Sequence, residues 1–173
     1  LARPFSELLE QLRKTDAEHV ELPDQGFHTF DSQKVAALAK IAKDRNLKVS
    51  VHAPFVDINI ASLDPFIRKS MLKRLRKSIA LSAKLNPTVW VFHPGLESSI
   101  GHFYPSLDWQ MNLKSVRELL ETAKTEGVKI VIENCPDPFP FLLKTAKDFM
   151  RFYDELGEND LDLTLDVGHA SIN

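Results

Sequence analysis

Five side chains able to hold a cation or move a proton stand at the ends of short apolar runs. Glu133 closes Ile130-Val131-Ile132, with the amide of Asn134 beside it; His52 closes VSVH, His93 closes VWVFH, and Asp166 closes LTLD, with His169 three residues further on. A charged group where a buried strand stops is costly unless it meets a partner or a metal. A mixed nitrogen and oxygen set of this kind suits Zn²⁺ or Mn²⁺, and a carboxylate in it can bridge two ions. The lack of cysteine ligands and the number of candidates favour a catalytic over a structural site. Gly168 lets the backbone turn between Asp166 and His169. A single histidine so placed is more simply a barrel-lining residue satisfied by hydrogen bonds. Five ligand-type residues at strand ends favour the metal site, holding one to three ions.

Buried strands must bring these residues together. Runs rich in Val, Ile and Leu read as strands at 19–22, 48–52, 89–93, 130–134 and 161–167. Helical patterns alternate with them. Residues 5–14 form the first, and Ser32 caps the second, with Val35, Leu38, Ala39 and Ala42 on one face. Asp64 caps a third that has Pro65 at its first position and Ile67, Met71, Leu75 and Ile79 as its stripe. A fourth turns Leu113, Val116, Leu120 and Ala123 inward and stops near Gly127, and Thr145 with Asp148 opens a fifth that ends at Gly157. The order predicts an α/β fold with a parallel sheet. Residues 21, 52, 93, 133 and 166 lie at successive strand ends, at steps close to the roughly 31 residues per unit of a (β/α)₈ TIM barrel. Five strands are too few for closure. The expectation is therefore an incomplete barrel, about strands 2 to 6, with strand one before Leu1 and strands seven and eight also outside the chain. An open five-stranded sheet with two bare edges is the alternative.

At 173 residues, 43% hydrophobic and 27% charged, the chain suits one soluble domain spanning 1–173. A net charge of −2 makes no case for non-specific nucleic-acid binding. Arg68, Lys69, Lys73, Arg74, Arg76 and Lys77 gather on one helix, and read as its solvated face. The lone Cys135 excludes an internal disulfide and reads as a small buried filler; it suits a reducing cytoplasm. No apolar run approaches about 20 residues, so no membrane helix is expected, and LARPFSEL lacks the core of a signal peptide. His19 begins a strand at the far end of the barrel and reads as surface. His28 and His102 fall in loops on the mouth side, where solvated histidines are commonest.

These residues resemble the xylose isomerase-like TIM-barrel superfamily, which contains sugar and sugar-phosphate isomerases and epimerases and the endonuclease IV-like apurinic endonucleases. The matching pieces are His52-Ala-Pro-Phe with INIAS after it, Phe92-His93-Pro94-Gly95, Ile132-Glu133-Asn134 and Leu165-Asp166-Val-Gly-His169. The resemblance implies that His52 and His93 hold one metal with Glu133, that Glu133 bridges to a second shared with Asp166, and that His169 serves a third. As an isomerase or epimerase acting on a small-molecule sugar or sugar phosphate, the protein would use Glu133 to move a proton beside a metal-polarised carbonyl. As an endonuclease it would hydrolyse abasic DNA with clustered zinc. The two-histidine pattern leans to the endonuclease, whereas the near-neutral charge and the segment CPDPFPF after Asn134 lean to the sugar enzyme, which ranks first. Glu21, Phe55, Asn134 and His102 are the candidate substrate contacts, with Phe139 and Phe141 as further pocket walls. A homo-oligomer is left open.

Overall fold

Five apolar runs pair into one parallel sheet whose strand order follows the chain. The computed structural model describes every residue except Leu1, His102, Pro105, Asn159 and Asn173. Its strands are β1 (His19–Pro23), β2 (Lys48–His52), β3 (Trp90–Phe92), β4 (Ile130–Glu133) and β5 (Asp162–Thr164), each hydrogen-bonded to the next. Between them run α1 (Phe5–Lys14), ahead of β1, then α2 (Ser32–Arg45), α3 (Pro65–Ser82), α4 (Leu107–Glu126) and α5 (Ala146–Leu156), with the short α6 (Val167–Ala170) after β5. Right-handed crossovers that always advance one strand in the same direction put every helix on the same face. That is the arc of a (β/α)₈ barrel rather than an open sheet covered on both sides, and the barrel is incomplete.

Side chains alternate across the sheet. Leu22, Val49, Val51, Trp90, Phe92, Ile130 and Ile132 face the helices and are buried with Leu38, Leu75, Ile79, Leu113, Val116 and Leu119 in one core. The other face carries Glu21 and Ser50 in register, His52 beside Val91, and Glu133 beside Thr164. The side chains able to do chemistry therefore share the inner face of the arc.

Most helix signals act as expected. Asp64 accepts from the backbone N–H groups of Phe66 and Ile67 at 2.8 and 3.1 Å, with Pro65 opening α3. Thr145 and Asp148 form a reciprocal capping box, and Gly127 and Gly157 end α4 and α5 at φ 68°. Three details differ. Asp31, not Ser32, caps α2, because its carboxylate accepts from the N–H groups of Gln33 and Lys34 at 2.9 and 2.8 Å and Ser32 is already helical. On α3 the buried stripe is Leu72, Leu75 and Ile79, while Ile67 is 49% exposed. A strict i+4 row drifts by about 40° per step, so it leaves the buried face within two turns. Finally, β5 stops at Thr164 rather than 167, because Asp166 turns to cap α6 by accepting from His169 N–H at 2.8 Å.

The cationic face of α3 is partly engaged. Arg68 and Arg76 pair with Glu118 on α4, and Arg74 grips the fully buried Asp24 through contacts of 2.6 and 2.9 Å. Asp24 also accepts from Phe30 N–H at 2.7 Å, so one carboxylate ties the loop after β1 to α3. Removing one partner leaves the other uncompensated in a dry setting. Asp24→Ala should destabilise the fold by roughly 3 kcal/mol in urea unfolding; a loss below 1 kcal/mol would show that Asp24 does not hold this loop.

Candidate functional site

Three strand ends converge on one carboxylate. Glu133 closes β4 and is 6% exposed; its Oε2 lies 3.5 Å from His52 Nε2 and 3.3 Å from His93 Nε2. The two imidazoles meet edge to face, with ring centroids 4.9 Å apart. His52 Nδ1 is 2.8 Å from the carbonyl of Ala53. A carbonyl only accepts, so Nδ1 carries the hydrogen and the Nε2 lone pair is aimed at the site. The separations to Glu133 exceed the 2.7–2.9 Å typical of a charge-assisted hydrogen bond. They match the roughly 3.3 Å between neighbouring donors bound to one tetrahedral ion at about 2.0–2.1 Å. The donor set thus fits a divalent cation.

A second group gathers on the other oxygen. His169 Nδ1 lies 3.4 Å from Glu133 Oε1 and 3.9 Å from Asp166 Oδ2, and the three residues form a second set of closely spaced ligand atoms. His169 Nδ1 is nearer still, at 2.8 Å, to the backbone carbonyl of Asn134, to which it must donate. Asn134 itself is 3% exposed, and both ends of its amide are bonded to the Asp166 backbone. The Asn134 amide, expected as a substrate contact, is thus engaged by the Asp166 backbone.

The charges reinforce one another. Burial pushes the Glu133 carboxyl up, but the approach and charge of His52 and His93 outweigh it and hold it at about 2. Burial pulls His52 down, and Glu133, the Ala53 carbonyl and the charge of Glu21 together raise it above its ordinary value. Burial beside Glu133 and Asp166 pushes the Cys135 thiol up, so it stays protonated, in keeping with a small buried filler.

Phenylalanines wall this side of the mouth. Phe55 lies 5.1 Å from His52 and 5.7 Å from His93 between ring centroids; Phe141 is 5.6 Å from His93, and Phe139 is 6.3 Å from Phe141. Glu21 sits in the middle of β1, exposed on the inner face, and not at the strand end as expected. His28 is not solvated either: it is buried, with Nε2 3.2 Å from the Arg3 carbonyl and its ring against Phe5. His102 lies outside the described residues.

Two supporting residues were not anticipated. Asn59 accepts from the N–H groups of Ala61 and Leu96, both at 2.9 Å, and donates to the Leu96 carbonyl at 3.2 Å. Asn112, buried on α4, accepts from Gly95 N–H at 2.8 Å. Together they fasten the turn that follows His93. A side chain at Gly95 would bring its Cβ within 2.3 Å of Ala61 Cβ, so this turn admits only glycine without rearrangement. A polar residue on the apolar stripe of α4, immediately before Leu113, was the available signal for Asn112.

Comparison with known proteins agrees with this geometry. The profile of the xylose isomerase-like TIM barrel family matches residues 9–173. The chain belongs to that family. Within it, the chain is 26% identical over 171 residues to the uncharacterized protein MJ1311 of Methanocaldococcus jannaschii, covering 99% of this chain and 58% of the relative. It is 24% identical to the D-psicose 3-epimerase of Ruminiclostridium cellulolyticum, covering 95% and 57% of the two chains. The crystal structure of a D-tagatose 3-epimerase-like protein superposes with a TM-score of 0.91 at 26% identity, over 97% of this chain and 63% of that one. The chain therefore spans less than two thirds of each of these relatives. No described helix is long and apolar enough to cross a membrane.

The paired shifts predict a pH signature in metal-free protein. Glu133, held below its ordinary 4.5, adds stability that is present above pH 4.5 and lost as pH falls towards 2. His52, raised above 6.5, adds stability that is present below pH 6.5 and lost as pH rises past its raised value. With a chelator present, Glu133→Gln should therefore lower the urea midpoint more near pH 5.5 than near pH 8. An equal loss at both would show that the imidazole–carboxylate contact contributes nothing.

Proposed function

We propose that this protein is a divalent-metal-dependent sugar or sugar-phosphate isomerase or epimerase, with Zn²⁺ or Mn²⁺ held at the C-terminal mouth of the barrel. The observation that carries the metal site is the convergence of His52 and His93 on one Glu133 oxygen at the spacing of ligands around an ion. The likeness to a D-psicose 3-epimerase and a D-tagatose 3-epimerase-like protein supports the substrate class. The activity belongs to the whole barrel, of which this one domain supplies five strands.

His52, His93 and Glu133 would hold the ion, and Asp166 with His169 forms a second group of ligand-type residues around Glu133. When bound, such an ion polarises a substrate carbonyl and its neighbouring hydroxyl, which eases proton loss at the adjacent carbon. Glu133 would both grip the ion and move the proton at that carbon, work that needs a carboxylate near both metal and substrate. His169 keeps the Nε2 lone pair and can accept a hydrogen bond from a substrate hydroxyl. Phe55 and Phe141, half-buried beside His93, give one flank an apolar wall that suits the C–H face of a sugar ring or chain, with the exposed Phe139 next to Phe141.

One observation favours a second reading. Glu133 turns its two oxygens to two separate donor groups, as a carboxylate bridging two ions would, and clustered zinc ions suit phosphodiester hydrolysis in abasic DNA. The engagement of Arg68, Arg74 and Arg76 in ion pairs leaves less free cationic surface for a duplex. The deciding experiment measures metal ions per chain, deuterium uptake from D₂O at the carbon beside the carbonyl of ketohexoses, and nicking of abasic duplex DNA. One ion with deuterium uptake and no nicking is expected, and two or more zinc ions with nicking would replace the first reading by the second. Glu133→Gln should lower turnover at least a hundredfold with an unchanged far-ultraviolet spectrum, together with loss of the ion; retention of metal in that variant would remove Glu133 from the site.

A further inference from the structure

The ladder between β4 and β5 ends at Glu133 and Thr164. Asp166, two residues further on, has no strand partner, and β5 contributes only three paired residues, two of them exposed. Its backbone is nevertheless held at both polar atoms. Asn134 Oδ1 accepts from Asp166 N–H at 2.7 Å, and Asn134 Nδ2 donates to the Asp166 carbonyl at 3.0 Å. A side-chain amide offers one acceptor and one donor in a plane, as a peptide group does. Here it takes the place of the next rung of the sheet. The network also fixes which end of the amide is oxygen, since only Oδ1 can meet the N–H.

The same residue orders His169. The Asn134 backbone carbonyl accepts from His169 Nδ1 at 2.8 Å, and Asp166 Oδ1 accepts from His169 N–H at 2.8 Å. Asn134, Asp166 and His169 thus form a closed ring of hydrogen bonds. Asp166 keeps Oδ2, and His169 keeps Nε2, for whatever enters the mouth. Asn134 is 3% exposed, and both ends of its amide are taken up by the Asp166 backbone.

We propose that Asn134 is a positioning residue: its amide extends the sheet by one rung to hold Asp166 against β4, and its carbonyl locks His169 with the proton on Nδ1. The proposal deepens the metal-site reading above, because it explains which atoms of the second donor group are available. It also separates the two groups. His52 and His93 are set by their own strands, whereas Asp166 and His169 depend on a side chain of β4's exit.

The test uses nuclear magnetic resonance on metal-free protein, so that it does not depend on activity. In the unmodified protein the Asp166 amide should be protected from hydrogen exchange, and the ¹⁵N shifts of His169 should report the Nδ1–H tautomer. An unprotected Asp166 amide, or an Nε2–H tautomer, overturns the proposal without any variant. In Asn134→Ala, which removes the amide but keeps the backbone carbonyl facing His169, exchange at Asp166 should accelerate at least tenfold while Val131 and Ile132 remain protected. Asn134→Asp should not restore the protection, because a carboxylate sets oxygen against the Asp166 carbonyl. Titration with Zn²⁺ should show an affinity about tenfold to a hundredfold weaker in Asn134→Ala. Unchanged exchange at Asp166 in that variant would overturn the proposal. Absence of Zn²⁺ and Mn²⁺ binding by the unmodified protein, with the Asn134 effects intact, would instead overturn the metal-site reading alone.

Discussion

A buried carboxylate that stays charged is the constraint on which the site rests. Glu133 lies at the end of a strand whose other residues are all buried. An ionised carboxylate in that position carries a desolvation penalty of several kcal/mol unless opposite charge or donors surround it. His52 and His93 meet one oxygen and His169 approaches the other. The parallel sheet makes this possible, because each strand delivers its last side chain to the same rim. The helices behind the sheet supply the stability that lets the rim hold such a group.

Beyond the strand ends the sheet's hydrogen bonds run out, and side-chain amides continue them. Gln25 accepts from the N–H groups of Phe55 and Val56, Asn59 pairs with Leu96, Asn112 with Gly95 and Asn134 with Asp166. Each amide satisfies backbone groups that a loop would otherwise leave to water. The result is that the loops after β1, β2 and β3 are tied in series, and the exit of β4 is tied to that of β5. A rim of this kind keeps ligand atoms in place without long strands, and β3 needs only three residues.

The two flanks of the site differ in support. Trp90, Phe92, Ile130 and Ile132 are packed under α3 and α4. Leu163 on β5 is 44% exposed, and with Phe149, Met150, Tyr153 and Leu165 it lines an apolar groove of about 690 Å³. The outer face of β5 is therefore covered far less than those of its neighbours. Asp166 stands on this weaker flank, which is where an added hydrogen-bonded rung has most effect.

The sequence alone determined the order of strands and helices, the parallel α/β class and the residues that end β2 and β4, because burial periodicity and capping chemistry are local. VSVH, VWVFH and KIVIE could be read as buried strands with polar ends, and Asp64 or Thr145 as helix starts, without knowing what lay nearby. Three-dimensional contact decided the rest. That Glu21 sits mid-strand, that β5 yields to a cap at Asp166, that the Asn134 amide binds the Asp166 backbone, and that His28 packs inside all depend on partners at least 25 positions away or on where a ladder stops. Hydrogen-bond direction was invisible for the same reason. Which nitrogen of His52 or His169 keeps a lone pair follows from a carbonyl placed against the ring, and only the folded chain places it there.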